Sequence, residues 1–227
     1  MVDTPYTETG TEMSHGALQT HVKEAFGGSA AEGIIGLGAV ALTIIGLANI
    51  FPEILVAVAV IAVGVALAFE GGAISARYAT LYGENQSFTE RSVRMGGITT
   101  LLLAGAAGIA LGILSLIGIV PMILVPVSAI VFGAALIMDS GVNERLSVLE
   151  AHHSEDYNAS MSVVKETARA AAGLQVLGGI CGVALGILAV IGIYPLVLSL
   201  VALLCIGTVN LLTGATIGGR MVSFFNK

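Results

Sequence analysis

Two stretches of this chain run without a charge for longer than a soluble core needs. Between Arg94 and Asp139 lie 44 uncharged residues, and between Arg169 and Arg220 lie 50. A bilayer core takes about 20 apolar residues per helix, so each stretch holds two spans and is too long for one. Both contain a proline near the middle, Pro121 and Pro195, and a looser third stretch surrounds Pro52. Proline suits the first helical turn, where its missing N–H would have no partner anyway. Each stretch therefore reads as a helix, a very short turn, and a second helix opened by proline. In lipid the backbone must satisfy its own hydrogen bonds, and a tight antiparallel helix pair does so.

The three hairpins are copies of one another. The clearest runs Gly108-Ile-Ala-Leu-Gly112, Pro121, Gly133, Asp139-Ser140-Gly141. The last runs Gly182-Val-Ala-Leu-Gly186, Pro195, Gly207, Thr213-Gly214, and the first keeps Pro52, Gly64 and Glu70-Gly71. The spacing from proline to glycine is identical in every copy (Pro52 to Gly64, Pro121 to Gly133, Pro195 to Gly207). So is the spacing from proline to a polar residue, Glu70, Asp139 or Thr213. An internal repeat of this kind governs the fold. It predicts an all-α integral membrane protein of six transmembrane helices, built as three tandem two-helix hairpins with pseudo-threefold symmetry. The expected spans are 33–50, 54–72, 96–118, 122–141, 172–193 and 196–216. The chain divides into a polar, acidic arm over 1–29 and hairpins over 30–83, 84–150 and 151–227. A short amphipathic helix is expected over Leu18–Phe26. The connections 73–95 and 142–171 read as helical extensions of the spans, the first opened by the capping box Ser87-Phe-Thr-Glu90.

Charge sets the orientation. The nine basic residues (Lys23, Arg77, Arg91, Arg94, Arg145, Lys165, Arg169, Arg220 and Lys227) all fall on the side of the termini and connections. The positive-inside rule puts that side in the cytoplasm and the turns outside. A hydrophobic content of 56%, 11% charged residues and a mean hydropathy of +0.96 belong to a membrane chain. With a net charge of −6, nucleic acid is not an expected partner. The expected partners are the lipid bilayer and either a second copy or another membrane protein. The polar stretch before the first apolar run, which starts near Gly33, lacks the basic and apolar regions of a secretory signal.

Several residues are candidates for packing or chemistry. Gly178, Gly182 and Gly186, matched by Ala104, Gly108 and Gly112, form small-xxx-small faces that let helix backbones approach closely. Gly64, Gly133 and Gly207 are further packing candidates. Packing inside the bundle is favoured over a subunit interface. Glu70 and Asp139 share one repeat position and are candidate proton-binding or interface carboxylates. At a rise of about 1.5 Å per residue, the helix from the proline to either acid nearly crosses the bilayer core. Both acids are therefore expected at the cytoplasmic interface, solvated or capped. The polar groups Asn49, Thr99, Thr100, Ser115, Ser128, Gln175, Ser199, Thr208 and Asn210 read as interhelical hydrogen-bonders without a continuous conducting stripe. Cys181 and Cys205 read as small apolar packing residues. The acidic loop containing His152, His153 and Glu155 is a weak metal candidate without the helical spacing of a metal site. No catalytic motif, cofactor motif or metal motif is recognised, so the chain is expected not to be an enzyme.

Three hairpins of the form Gly-x3-Gly, an Ile/Leu-rich run, Pro-x11-Gly-x5-(Asp/Glu)-Gly resemble the HdeD-like family of small prokaryotic membrane proteins. The likeness covers residues 30–220. It implies a multi-pass protein of the prokaryotic inner membrane with both termini cytoplasmic and an association with acid resistance. The role expected on these grounds is structural or stress-responsive, acting by helix packing and oligomerisation. A channel or transporter for protons or a small neutral solute is the first alternative, and an accessory subunit of a larger complex the second. Transport would require Glu70, Asp139 and either Gln175 or Asn210 to converge on a wet cavity.

Overall fold

A computed structural model describes residues 33–82, 88–152 and 160–225, with side chains described over 33–72, 100–140 and 169–214. The described chain is all helical. Its elements are α1, described over Gly33–Leu47, then α2 Pro52–Tyr82, α3 Phe88–Leu116, α4 Pro121–His152, α5 Ser160–Val190 and α6 Pro195–Phe225. Among the described residues four stretches are long and apolar enough to cross a membrane: Pro52–Gly72, Pro121–Ser140, Arg169–Val190 and Pro195–Gly214. Gly33–Leu47 and Thr100–Leu116 are shorter apolar stretches among the described residues. As expected, the helices run on past the apolar segments, so much of both connections is helical. The arm over 1–29, the Leu18–Phe26 helix and Ser87 lie outside the described residues.

The prolines do what their position predicts, opening α2, α4 and α6. The turn before each is built the same way. Gly118 and Gly192 adopt φ of 92° and 97°, and Asn49 takes their place with φ of 64°. At the end of α3 the Gly118 N–H donates to Ser115 O and the Ile119 N–H to Leu114 O, both at 3.0 Å. This is the double bond of a glycine C-cap, which satisfies carbonyls a helix end leaves over. The residue just before each proline is also left-handed: Phe51, Val120 and Tyr194 have φ of 42°, 40° and 41°. Their carbonyls then accept the first N–H groups of the next helix, as Phe51 O does from Leu55 at 3.0 Å. A link of so few residues reverses the chain only through such angles, which cost about 1–3 kcal/mol per residue.

The second helix of each hairpin is the inner one. The helices α2, α4 and α6 each touch the other two. Their buried residues recur in the same register relative to the three prolines, forming layers. The first three layers are Val60, Ala129 and Leu203; then Val63, Phe132 and Ile206; then Leu67, Leu136 and Asn210. Steps of three and four keep one helix face turned to a common seam. The outer helices carry their large apolar side chains outward, as at Ile34, Leu37, Leu103, Ile117 and Leu177. In a soluble protein such surface would be a liability; in lipid it is the solvated face.

Three seams join one hairpin to another. At the α2–α3 seam a β-carbon added at Gly64 would meet Gly105 O at 2.8 Å, and one at Gly105 would meet Gly64 O at 2.6 Å. At the α4–α5 seam one at Gly133 would meet Gly179 O at 2.5 Å, and the reverse contact is 2.6 Å. At the α1–α6 seam one at Gly36 would meet Leu211 N at 2.8 Å, whereas at Gly207 the nearest atoms are at 3.4 Å. The Gly-x3-Gly faces are also used within the chain: Gly112 lies against Ala57 and Ile61, Gly186 against Pro126 and Ile130, Gly178 against Val209, and Gly182 against Ile206.

Candidate functional site

The fourth inner layer, at the polar position of the repeat, holds the two acids. Glu70 on α2 is 2% exposed and Asp139 on α4 is 0% exposed. Neither acid is solvated, so of the two expected roles, solvated or capped, the burial leaves the capped one. The helix rotation, which sequence spacing leaves open, turns both inward. The Cα–Cβ bond leans toward the helix N-terminus, so both side chains tilt back into the core. Thr213 on α6 completes the layer and is also buried.

Gln175 on α5 joins the two acids. Its Nε2 donates to Glu70 Oε1 at 2.9 Å and to Asp139 Oδ2 at 3.4 Å, and the residue is 1% exposed. One amide nitrogen thus ties together α2, α4 and α5, which belong to three different hairpins. Taking a carboxylate out of water costs several kcal/mol even after relaxation. Hydrogen bonds to charged acceptors are among the stronger ones, so the bridge offsets part of that cost. One turn deeper, Asn210 is 1% exposed, and neither its amide nitrogen nor its oxygen has a hydrogen-bond partner in the described structure. Its counterparts in the same register of the other two hairpins are Leu67 and Leu136.

Three hydroxyls expected to bond between helices, those of Ser128, Ser199 and Thr208, bond within their own helix instead, as Thr43 does. Thr43, Ser128, Ser199 and Thr208 donate to carbonyls of their own helices, Ala39, Val125, Pro195 and Leu204, at 3.0, 2.6, 2.6 and 2.7 Å. A short hydroxyl reaches the carbonyl of its own preceding turn more readily than a neighbouring helix. The sulfurs of Cys181 and Cys205 are 3.3 Å apart, bridging α5 and α6 as free thiols. His152 closes the described part of α4, and His153 and Glu155 lie outside the described residues.

At the turn end a small, partly open depression lies between the first turns of α2, α4 and α6. It is lined by Glu53, Pro121 and Pro195, with Val56, Val125 and Ser199 beneath. Below it the axis is filled by Val60, Ala129, Leu203, Val63, Phe132 and Ile206, all 0% exposed. Among the described residues these side chains close off the depression from the carboxylates.

Sequence reasoning missed one set of residues that the repeat register holds, and it named Gln175 only as one of several intramembrane polar groups that transport would need beside the acids. Gly36, Gly105 and Gly179 stand at equal distances before Pro52, Pro121 and Pro195 and are the partners across the seams. Gln175 shares its register before the proline with Leu101 and Glu32. A polar residue where another copy holds a buried leucine was the available signal.

No protein-family model, curated protein or solved structure matches the chain.

Proposed function

We propose that the chain is a non-enzymatic, multi-pass protein of a prokaryotic inner membrane whose six spans close into a ring of three hairpins. Its termini and connections face the cytoplasm, where the basic residues gather. The role is structural or stress-responsive, in keeping with the resemblance to HdeD-like proteins, and acts through helix packing. The observation that carries this reading is the filled axis: three inner layers of fully or almost fully buried side chains separate the turn-end depression from the carboxylates. The pairing of glycines in equivalent registers at all three seams supports the pseudo-threefold arrangement. Because the Gly-x3-Gly faces are occupied within the chain, association with a second copy would use the outward apolar faces instead.

The convergence of Glu70, Asp139 and Gln175 favours a second reading, a proton or solute transporter. Flux measured in liposomes separates the two. The packed-bundle reading expects proton and small-solute flux no higher than in protein-free vesicles. Flux that is present in the parent and abolished by Glu70→Gln with Asp139→Asn would establish transport instead.

A further inference from the structure

The only two cysteines of the chain, Cys181 on α5 and Cys205 on α6, meet each other with their sulfurs 3.3 Å apart. Packing alone does not ask for sulfur at either place. In the same registers of the other hairpins stand Ala107 with Val131, and Gly38 with Ala62, so small apolar residues fill these positions equally well. Both thiols are free and partly exposed, and each lies near the middle of its apolar segment, Arg169–Val190 or Pro195–Gly214. Leu177, one turn before Cys181, and Thr208, one turn after Cys205, are exposed on the same side of the third hairpin. Glycine brings the two helices together on either side of the pair: Gly178 lies against Val209 and Gly182 against Ile206. A disulfide places its sulfurs at about 2 Å, so from 3.3 Å the pair closes by an approach of about 1 Å shared between two side chains.

We propose that Cys181 and Cys205 form a redox site open to the bilayer, which gives two hydrogen atoms to lipid peroxyl radicals and closes to a disulfide between α5 and α6. Charge is costly away from water, and among the described residues no acid or histidine joins the pair to make a metal set. The nearby Thr208 hydroxyl donates to Leu204 O of its own helix at 2.7 Å. The route left to these thiols is the uncharged one. A peroxyl radical takes the hydrogen of one thiol: the S–H bond breaks, an O–H bond forms, a lipid hydroperoxide leaves and a sulfur radical remains. A second peroxyl radical takes the hydrogen of the other thiol in the same way. The two sulfur radicals then pair their electrons in the new S–S bond. Two thiols and two peroxyl radicals thus become one disulfide and two hydroperoxides, with no charge formed and no proton released. The short distance between the sulfurs lets two one-electron events end in a closed-shell product.

This inference rests on the reading of the chain as a membrane bundle. The test places the full chain in vesicles of polyunsaturated phospholipid and generates peroxyl radicals within the bilayer from a lipid-soluble azo initiator in air. Two quantities are read: the linked Cys181–Cys205 peptide after free thiols are blocked, and the delay before conjugated dienes build up. The parent should yield the linked peptide and a delay equivalent to two radicals per chain, one for each thiol. Cys181→Ala and Cys205→Ala should each yield no linked peptide and at most half the delay, and the double variant should lose the delay. Alanine already stands in these registers as Ala107 and Ala62, so the variants keep the fold testable. No linked peptide from the inserted parent, or a delay that the double variant retains in full, overturns the site and leaves the bundle standing. So does linking that proceeds as fast with hydrogen peroxide in water and no initiator, because the thiols would then answer to water and not to lipid. A chain that alkaline carbonate strips from the vesicles sinks both.

Discussion

The seams within the chain differ in how closely they are packed. At α2–α3 and α4–α5, each glycine of the pair faces the other's carbonyl oxygen at 2.5–2.8 Å from where a β-carbon would sit. At α1–α6, which closes the ring between the ends of the chain, only Gly36 is so confined, and Gly207 has ordinary contact distances. The two tight seams join helices that lie close together in the chain. The closing seam joins helices almost the whole sequence apart. Equivalent register therefore does not mean equivalent packing: the same residue type at the same repeat position is obligatory in two seams and optional in the third.

The comparison can be broken most directly at the tight seams. Gly133→Ala and Gly105→Ala place a methyl against backbone, which cannot rotate aside, and each should destabilise by about 1–3 kcal/mol. For a chain of this size that lowers Tm by about 2–10 °C in detergent. An unchanged Tm for both would erase the distinction between seams.

A smaller, more specific effect is expected inside hairpin two. The tip of the Phe132 ring sits where a β-carbon on Gly108 would be. Where hairpin one has Ala39 at the position of Gly108, it has Val63 at that of Phe132. The large ring and the missing side chain are matched in size. Gly108→Ala should therefore destabilise the parent protein and be tolerated once Phe132→Val is present. The expected coupling in a double-mutant cycle is about 0.5–3 kcal/mol, and strictly additive unfolding energies would remove the size-matching argument.

The smallest effect belongs to the closing seam. At Gly207 a methyl finds its nearest atoms, Ala39 Cβ and Val40 Cγ2, at 3.4 Å. Gly207→Ala should leave Tm unchanged or raise it slightly, since glycine in a helix interior costs roughly 0.5–1 kcal/mol relative to alanine. A loss as large as that for Gly133→Ala would show that the closing seam is as tight as the others.

Much of this architecture was legible in the residues because the physics behind it is local. A long uncharged run reports desolvation and proline reports a missing N–H; neither depends on which helix lies next door. The helical connections followed from the capping box and from charged residues running straight into the spans. The reading failed where rotation and neighbour choice decide. For Glu70 and Asp139 the choice between a solvated and a capped carboxylate stayed open because position along a helix was known and azimuth was not. The hydroxyls were expected to bond across helices because their nearest acceptor, their own backbone, is visible only once a rotamer is set.

By itself, then, the sequence determined the order of helices, the placement of each proline at a helix start, and the polar position that recurs near the ends of the apolar segments of the inner helices. The tertiary structure decided that two of those polar residues are buried together and that an amide from a third hairpin bridges them. It also decided that Gly36, Gly105 and Gly179 are the other half of their seams. The division has one physical cause. Helix formation and membrane insertion are summed over neighbours in the chain, whereas the meeting of Glu70, Asp139 and Gln175 depends on three helices being packed at once, each rotated to suit the other two.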